Sequence, residues 1–133
     1  MKVKASYEEI TTFVKNHYKV APQLKRIDDQ TIEVGCQLMR FLPAITIQIK
    51  VEEIRQNKVR LVYESSAPMK MIITGVIGLF GGKMPDGVEI NTESKQITIT
   101  LGQIEKAKKA MEYVLLENIR FNEVDLEFTV NLK

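Results

Sequence analysis

Eight residues in the middle of the chain leave the backbone little choice. In Ile45-Thr46-Ile47-Gln48-Ile49-Lys50-Val51-Glu52 every second side chain is apolar and β-branched, and each intervening one is polar. Only an extended strand sorts such a run into one dry and one wet face, because strand side chains alternate with a period of two. The pattern recurs on both sides. Ile32, Val34, Cys36 and Leu38 alternate with Glu33, Gly35 and Gln37, and Val59, Leu61 and Tyr63 alternate with Arg60, Val62 and Glu64. Short connections at 40–43 and 56–58 predict an antiparallel meander with one buried face.

Helical signals flank the meander. Ser6 and Glu9 have capping-box spacing, and Ile10, Phe13, Val14 and His17 follow at i, i+3, i+4 and i+7. Val20-Ala21-Pro22 ends that helix. A second helix is predicted over 68–80, with Ser66 as its cap, Pro68 in its first turn and Gly81-Gly82 as its stop. Strands are predicted at Val88–Asn91 and 96–101, joined by Thr92-Glu93-Ser94-Lys95. A third helix is predicted over 103–116, with Ile104, Ala107, Met111, Val114 and Leu115 as its stripe. Leu126, Phe128, Val130 and Leu132 alternate in a closing strand. The predicted order is α-β-β-β-α-β-β-α-β: an α+β fold, with a mostly antiparallel curved sheet and about three helices, in one domain over residues 1–133.

Composition narrows the function classes. The chain has 133 residues, 44% of them hydrophobic, with a net charge of +2. That is too apolar and too neutral for a disordered chain. A single cysteine, Cys36, excludes an intrachain disulfide scaffold. The small basic excess argues against a dedicated nucleic-acid binder. No apolar run reaches the roughly 20 residues of a membrane-spanning helix, and Met1-Lys2-Val3-Lys4 lacks the apolar core of a secretory signal. A cytoplasmic location is expected.

Candidate catalytic and metal-ligating groups are sparse. His17 is the only histidine, and its place beside Phe13 and Val14 suits a rim residue bonded to a neighbour. A metal site needs several converging ligands, and one His and one Cys on different elements predict none. Cys36 falls on the apolar face of its strand, where an inert thiol is expected. The doublets Glu8-Glu9, Asp28-Asp29 and Glu52-Glu53 each fit a helix start, a turn or a wet strand end. Gly82-Lys83 fails as a phosphate loop, because Ile77 stands where the motif needs Gly and Met84 where it needs Ser or Thr. The two GXXG spellings at 75–78 and 78–81 have apolar central pairs, which suit packing rather than RNA phosphate. Six Lys or Arg against two Glu make the first 26 residues basic, which leaves peripheral membrane contact open.

The most unusual segment is 68–80, where Lys70 and Thr74 are the only polar side chains. Thirteen helical residues span roughly 20 Å, short of the ~30 Å hydrocarbon core of a bilayer. A helix apolar nearly all round must be covered on several sides, whereas a single sheet covers one. Gly75 and Gly78 each weaken it by about 1 kcal/mol relative to Ala.

The alternating strand 44–55, the run Ile97-Thr98-Ile99-Thr100-Leu101, the helix 103–116 and the strand 124–132 together resemble the tubular lipid-binding (TULIP-like) domains. In that family a long, curved antiparallel sheet wraps a helix and encloses an acyl-chain cavity. The resemblance covers residues 44–132 and rests on pattern and element order. It implies a lipid-binding role and, since this chain is short for the family, a complete tube made of two copies.

The leading expectation is therefore a non-enzymatic binding protein, without cofactor, holding a lipid or other apolar molecule between the sheet and the 68–80 helix. Ile45, Ile47, Ile49, Met71, Ile72, Val76, Phe80, Ile99 and Met111 would line that site, with Lys70 meeting a headgroup. The alternative is a structural or regulatory interaction module that forms a homodimer through the same helix. An enzyme comes third, since no catalytic constellation assembles. No nucleic-acid partner is expected.

Overall fold

The computed structural model describes residues 1–37, 43–79 and 81–133. The predicted Leu38, positions 40–42 of the 40–43 connection and Phe80 lie outside them. The fold is α+β, with three helices and two antiparallel sheets among the described residues, as the sequence predicts for the class. The strands are β1 (Lys2–Ser6), β2 (Gln23–Asp28), β3 (Thr31–Cys36), β4 (Ile45–Arg55), β5 (Lys58–Ser65), β6 (Val88–Asn91), β7 (Gln96–Thr100), β8 (Val114–Phe121) and β9 (Asp125–Leu132). The helices are α1 (Tyr7–Tyr18), α2 (Met69–Leu79) and the single turn α3 (Glu105–Lys108). One sheet has six strands in the order β2-β3-β4-β5-β7-β6, and the other has three in the order β1-β9-β8.

The capping box forms as spaced. The Glu9 amide donates to Ser6 Oγ at 3.0 Å, and the Ser6 amide donates to Glu9 Oε1 at 3.1 Å. That contact holds the Glu9 carboxyl below its ordinary range, through the bonds it accepts from Ser6.

The meander is present as predicted, and β4 is its spine. Its inward residues divide between two covers. Ile45 and Ile47 pack with Tyr63 and with Ile72 of α2, while Val51 packs with Ile32, Val59 and with Leu116, Ile119 and Phe121 of β8. Ile49 and Val34 touch both clusters. A bulge after Val51 lets Ile54 rejoin the core and leaves Glu52 and Glu53 both exposed. There the two carboxylates flank Arg60, at 3.1 and 2.6 Å.

Three strands go beyond the predicted order. β1 pairs with β9, β2 forms the sheet edge beside β3, and β8 stands where the third helix was expected to end. The predicted 103–116 helix is reduced to α3 between short 3-10 turns at Leu101–Gln103 and Ala110–Glu112. From Val114 onward the chain pairs with β9, so ladder bonds to a distant strand override the helix-forming composition of the Glu-Lys-Ala stretch. A bulge between Leu116 and Asn118 hid this strand from a period-two reading. It brings Leu116, Ile119 and Phe121 into one core cluster although they are spaced by three and then two.

Two hairpin turns of the large sheet fasten β8. The β4–β5 turn places Gln56 and Asn57 at φ 52° and 59°, the left-handed pair that a two-residue hairpin requires. Asn57 is 6% exposed. Its Nδ2 donates to the Val114 carbonyl at 2.9 Å, and its Oδ1 accepts from the Leu116 amide at 2.7 Å. At the other end of β8, the Phe121 amide donates to the Asp29 carbonyl at 2.8 Å, and Arg26 Nε donates to the Phe121 carbonyl at 2.8 Å. Strand β8 thus runs from one turn to the other, across the strand ends of the large sheet.

Asn57→Ala should lower stability by about 2–4 kcal/mol, because it orphans a buried amide and carbonyl and puts a Cβ residue without a compensating side chain at positive φ. Asn57→Gly should recover about 1 kcal/mol of that, since it relieves only the backbone cost. Urea titrations of the three proteins check both values, and a loss under 0.5 kcal/mol in Asn57→Ala would remove its side chain from the joint.

Candidate functional site

Between the two sheets lies a half-open cleft of about 470 Å³ lined by apolar side chains alone. Ile32, Ile49, Val51, Val59, Leu61 and Ile99 form its floor on the large sheet. Leu116, Ile119 and Phe121 of β8 and Leu126, Phe128 and Val130 of β9 form its roof. Leu101 and Met111 close one end, and Val3 of β1, 51% exposed, stands at the rim. The space exists because β8 is tied to the turns at the strand ends while its ladder carries β9 and β1 across the sheet face. None of the described side chains is fully buried, and the most buried core residue, Val59, keeps 3% of its surface.

Electrostatics sharpen the contrast between the inside and the outside. Glu127, 8% exposed, lies within 3.8 Å of Lys2 and 3.6 Å of Lys4, and it alternates along β9 with the cavity-lining Leu126 and Phe128. The strand alternation thus supplies charged cross-strand contacts and an apolar lining from adjacent positions of one ladder.

The sequence-predicted site residues fall into three groups. Ile49, Ile99 and Met111 line the cavity. Ile45, Ile47 and Ile72 are buried together, with Val76 packed against them, where α2 sits directly on the neighbouring half of the sheet. Lys70 is exposed and Met71 half-buried on α2, apart from the cavity lining. Phe80 lies outside the described residues. The site prediction missed Ile32, Val51, Val59, Leu61 and Leu101 as well as Val3, Leu116, Ile119, Phe121 and the three lining residues of β9. For β9 the alternation was legible and only its facing partner was unknown.

The other candidates have structural partners. His17 stacks on Phe13 with ring centroids 4.1 Å apart, and its Nδ1 lies 2.9 Å from the Phe13 carbonyl oxygen. Burial pushes the Cys36 thiol above its ordinary pKa. Burial likewise raises the Tyr7 phenol, whose hydroxyl donates to the Asn122 carbonyl. Among the described residues no group of three or more His, Cys, Asp or Glu is placed to hold a metal ion, and no helix is long and apolar enough to cross a membrane.

A scan against protein-family models finds no match, and searches of curated proteins and of solved structures find none either.

The raised Cys36 pKa has a defined sign. The native state keeps its proton to higher pH than the unfolded chain does, so this contribution is present below the unfolded thiol pKa and lost as pH rises through the folded one. Native protein at pH 8 should therefore react with a disulfide reagent more slowly than urea-unfolded protein. Equal labelling rates would show the thiol to be open.

Proposed function

We propose that this protein binds a lipid or another apolar molecule in the cavity between its two sheets, without catalysing a reaction. The observation that supports this reading is the lining: about 470 Å³ bounded by apolar side chains. The volume falls within the ordinary range of ligand sites. The lining offers water no polar partner, so a hydrocarbon occupant of the cleft is favoured over water. A hydrocarbon chain would gain about 0.8 kcal/mol for each methylene buried. A polar headgroup would stay at the rim near Val3, because nothing within the lining would satisfy it. This reading retains the ligand class expected from the sequence and moves it from the α2 half of the sheet to the β8–β9 half. Possession of a tubular lipid-binding relationship remains part of the same proposal, and the paired hydrocarbon-lined surfaces are what favour it.

Native mass spectrometry of the purified protein, followed by organic extraction, should show a reproducible apolar mass that leaves on denaturation. Affinity for a saturated fatty-acid series should rise about fourfold per methylene until the cavity is filled. Leu126→Trp, which fills the roof, should weaken binding by at least about tenfold. Absence of any co-purifying molecule, together with affinities that ignore chain length, would refute the reading.

A further inference from the structure

A second surface lies on α2, outside the cavity lining. The helix packs on the large sheet through one stripe, Met69, Ile72 and Val76. Ile73 and Ile77, off that stripe, are only half-buried, and Lys70, Thr74 and Gly78 around them are exposed. A Cβ built on Gly78, Gly81 or Gly82 would meet nothing within 4 Å, so no described part of the chain closes over these positions. Between Ser65 and Pro85 the only charged residues are Lys70 and Lys83, both exposed.

We propose that this face lays α2 flat on an anionic lipid bilayer, with Ile73 and Ile77 at the acyl boundary and Lys70 and Lys83 among the headgroup phosphates. Eleven residues are too few to span a bilayer and enough to lie in its interface. Charge decides between a bilayer and a second copy of the chain. A two-fold dimer through this face would bring together the Lys70 side chains of both copies, and the helix carries no acidic residue to offset them. An anionic leaflet supplies the missing negative charge, and each basic residue near it strengthens binding about fivefold. The lysines that suit phosphate disfavour self-association.

Vesicle flotation tests this independently of the cavity. The protein should float with vesicles of phosphatidylcholine mixed with phosphatidylserine, should not float with phosphatidylcholine alone, and should be released by high salt. Lys70→Gln combined with Lys83→Gln should lower the partition coefficient about 30-fold at unchanged circular dichroism. Ile73→Asn combined with Ile77→Asn should also weaken it. Leu126→Trp should float like the parent protein, so failure of cavity binding and failure of docking are separable. No flotation, flotation indifferent to phosphatidylserine, or parent-like flotation of the lysine variant would each overturn the proposal. So would a dimer in light scattering that Ile77→Asn dissociates.

Discussion

The amide side chain of Asn57 joins the two sheets. It sits in a two-residue turn whose left-handed backbone Asn tolerates better than most residues, and it presents one donor and one acceptor to the start of β8. In effect it imitates a strand residue, completing a ladder that has no backbone there to complete it. Buried amides that lose such partners cost more than the bonds appear to be worth, so the position of β8 is strongly specified. The Leu101 amide, bonded to the Asn57 carbonyl at 3.0 Å, ties the chain after β7 to the same turn.

From that joint the remaining architecture follows. Strand β8, fixed at one end by Asn57 and at the other by Asp29 and Arg26, crosses the strand ends and carries β9 and β1 by ordinary antiparallel pairing. One face of the large sheet is then shared by two covers of different kinds. The helix α2 lies directly on Ile45, Ile47 and Tyr63. The small sheet leaves a space above Ile49, Leu61 and Ile99.

The sequence disclosed elements wherever periodicity was unbroken. Strands β3, β4, β5, β7 and β9, the capping box of α1 and the boundaries of α2 follow from patterns a few residues long. It concealed β8, where a bulge interrupted a short apolar pattern. In β8 the inward residues Leu116, Ile119 and Phe121 fit neither a simple strand nor a continuous helix, and the helix-forming residues just before them extended the wrong element. Strand β1 offers only Val3 and Ala5 between lysines, too little apolar contrast to mark a strand without β9 beside it. Half of the candidate site was therefore legible as strand faces, whereas the facing of one set on another was not.

Taken by itself, the amino-acid order determined the dry faces of the central strands, because alternation acts between near neighbours; it did not do so for Phe13 or Leu132, which are 51% and 74% exposed. It also marked 68–80 as a helix that one sheet could not fully cover. Only the tertiary structure decided where the dry faces meet and where they stand apart. That outcome depends on bonds between residues more than fifty positions apart, chiefly those of Asn57 with Val114 and Leu116. Such bonds leave no periodic trace, because their geometry is set by the folded chain and not by spacing along it.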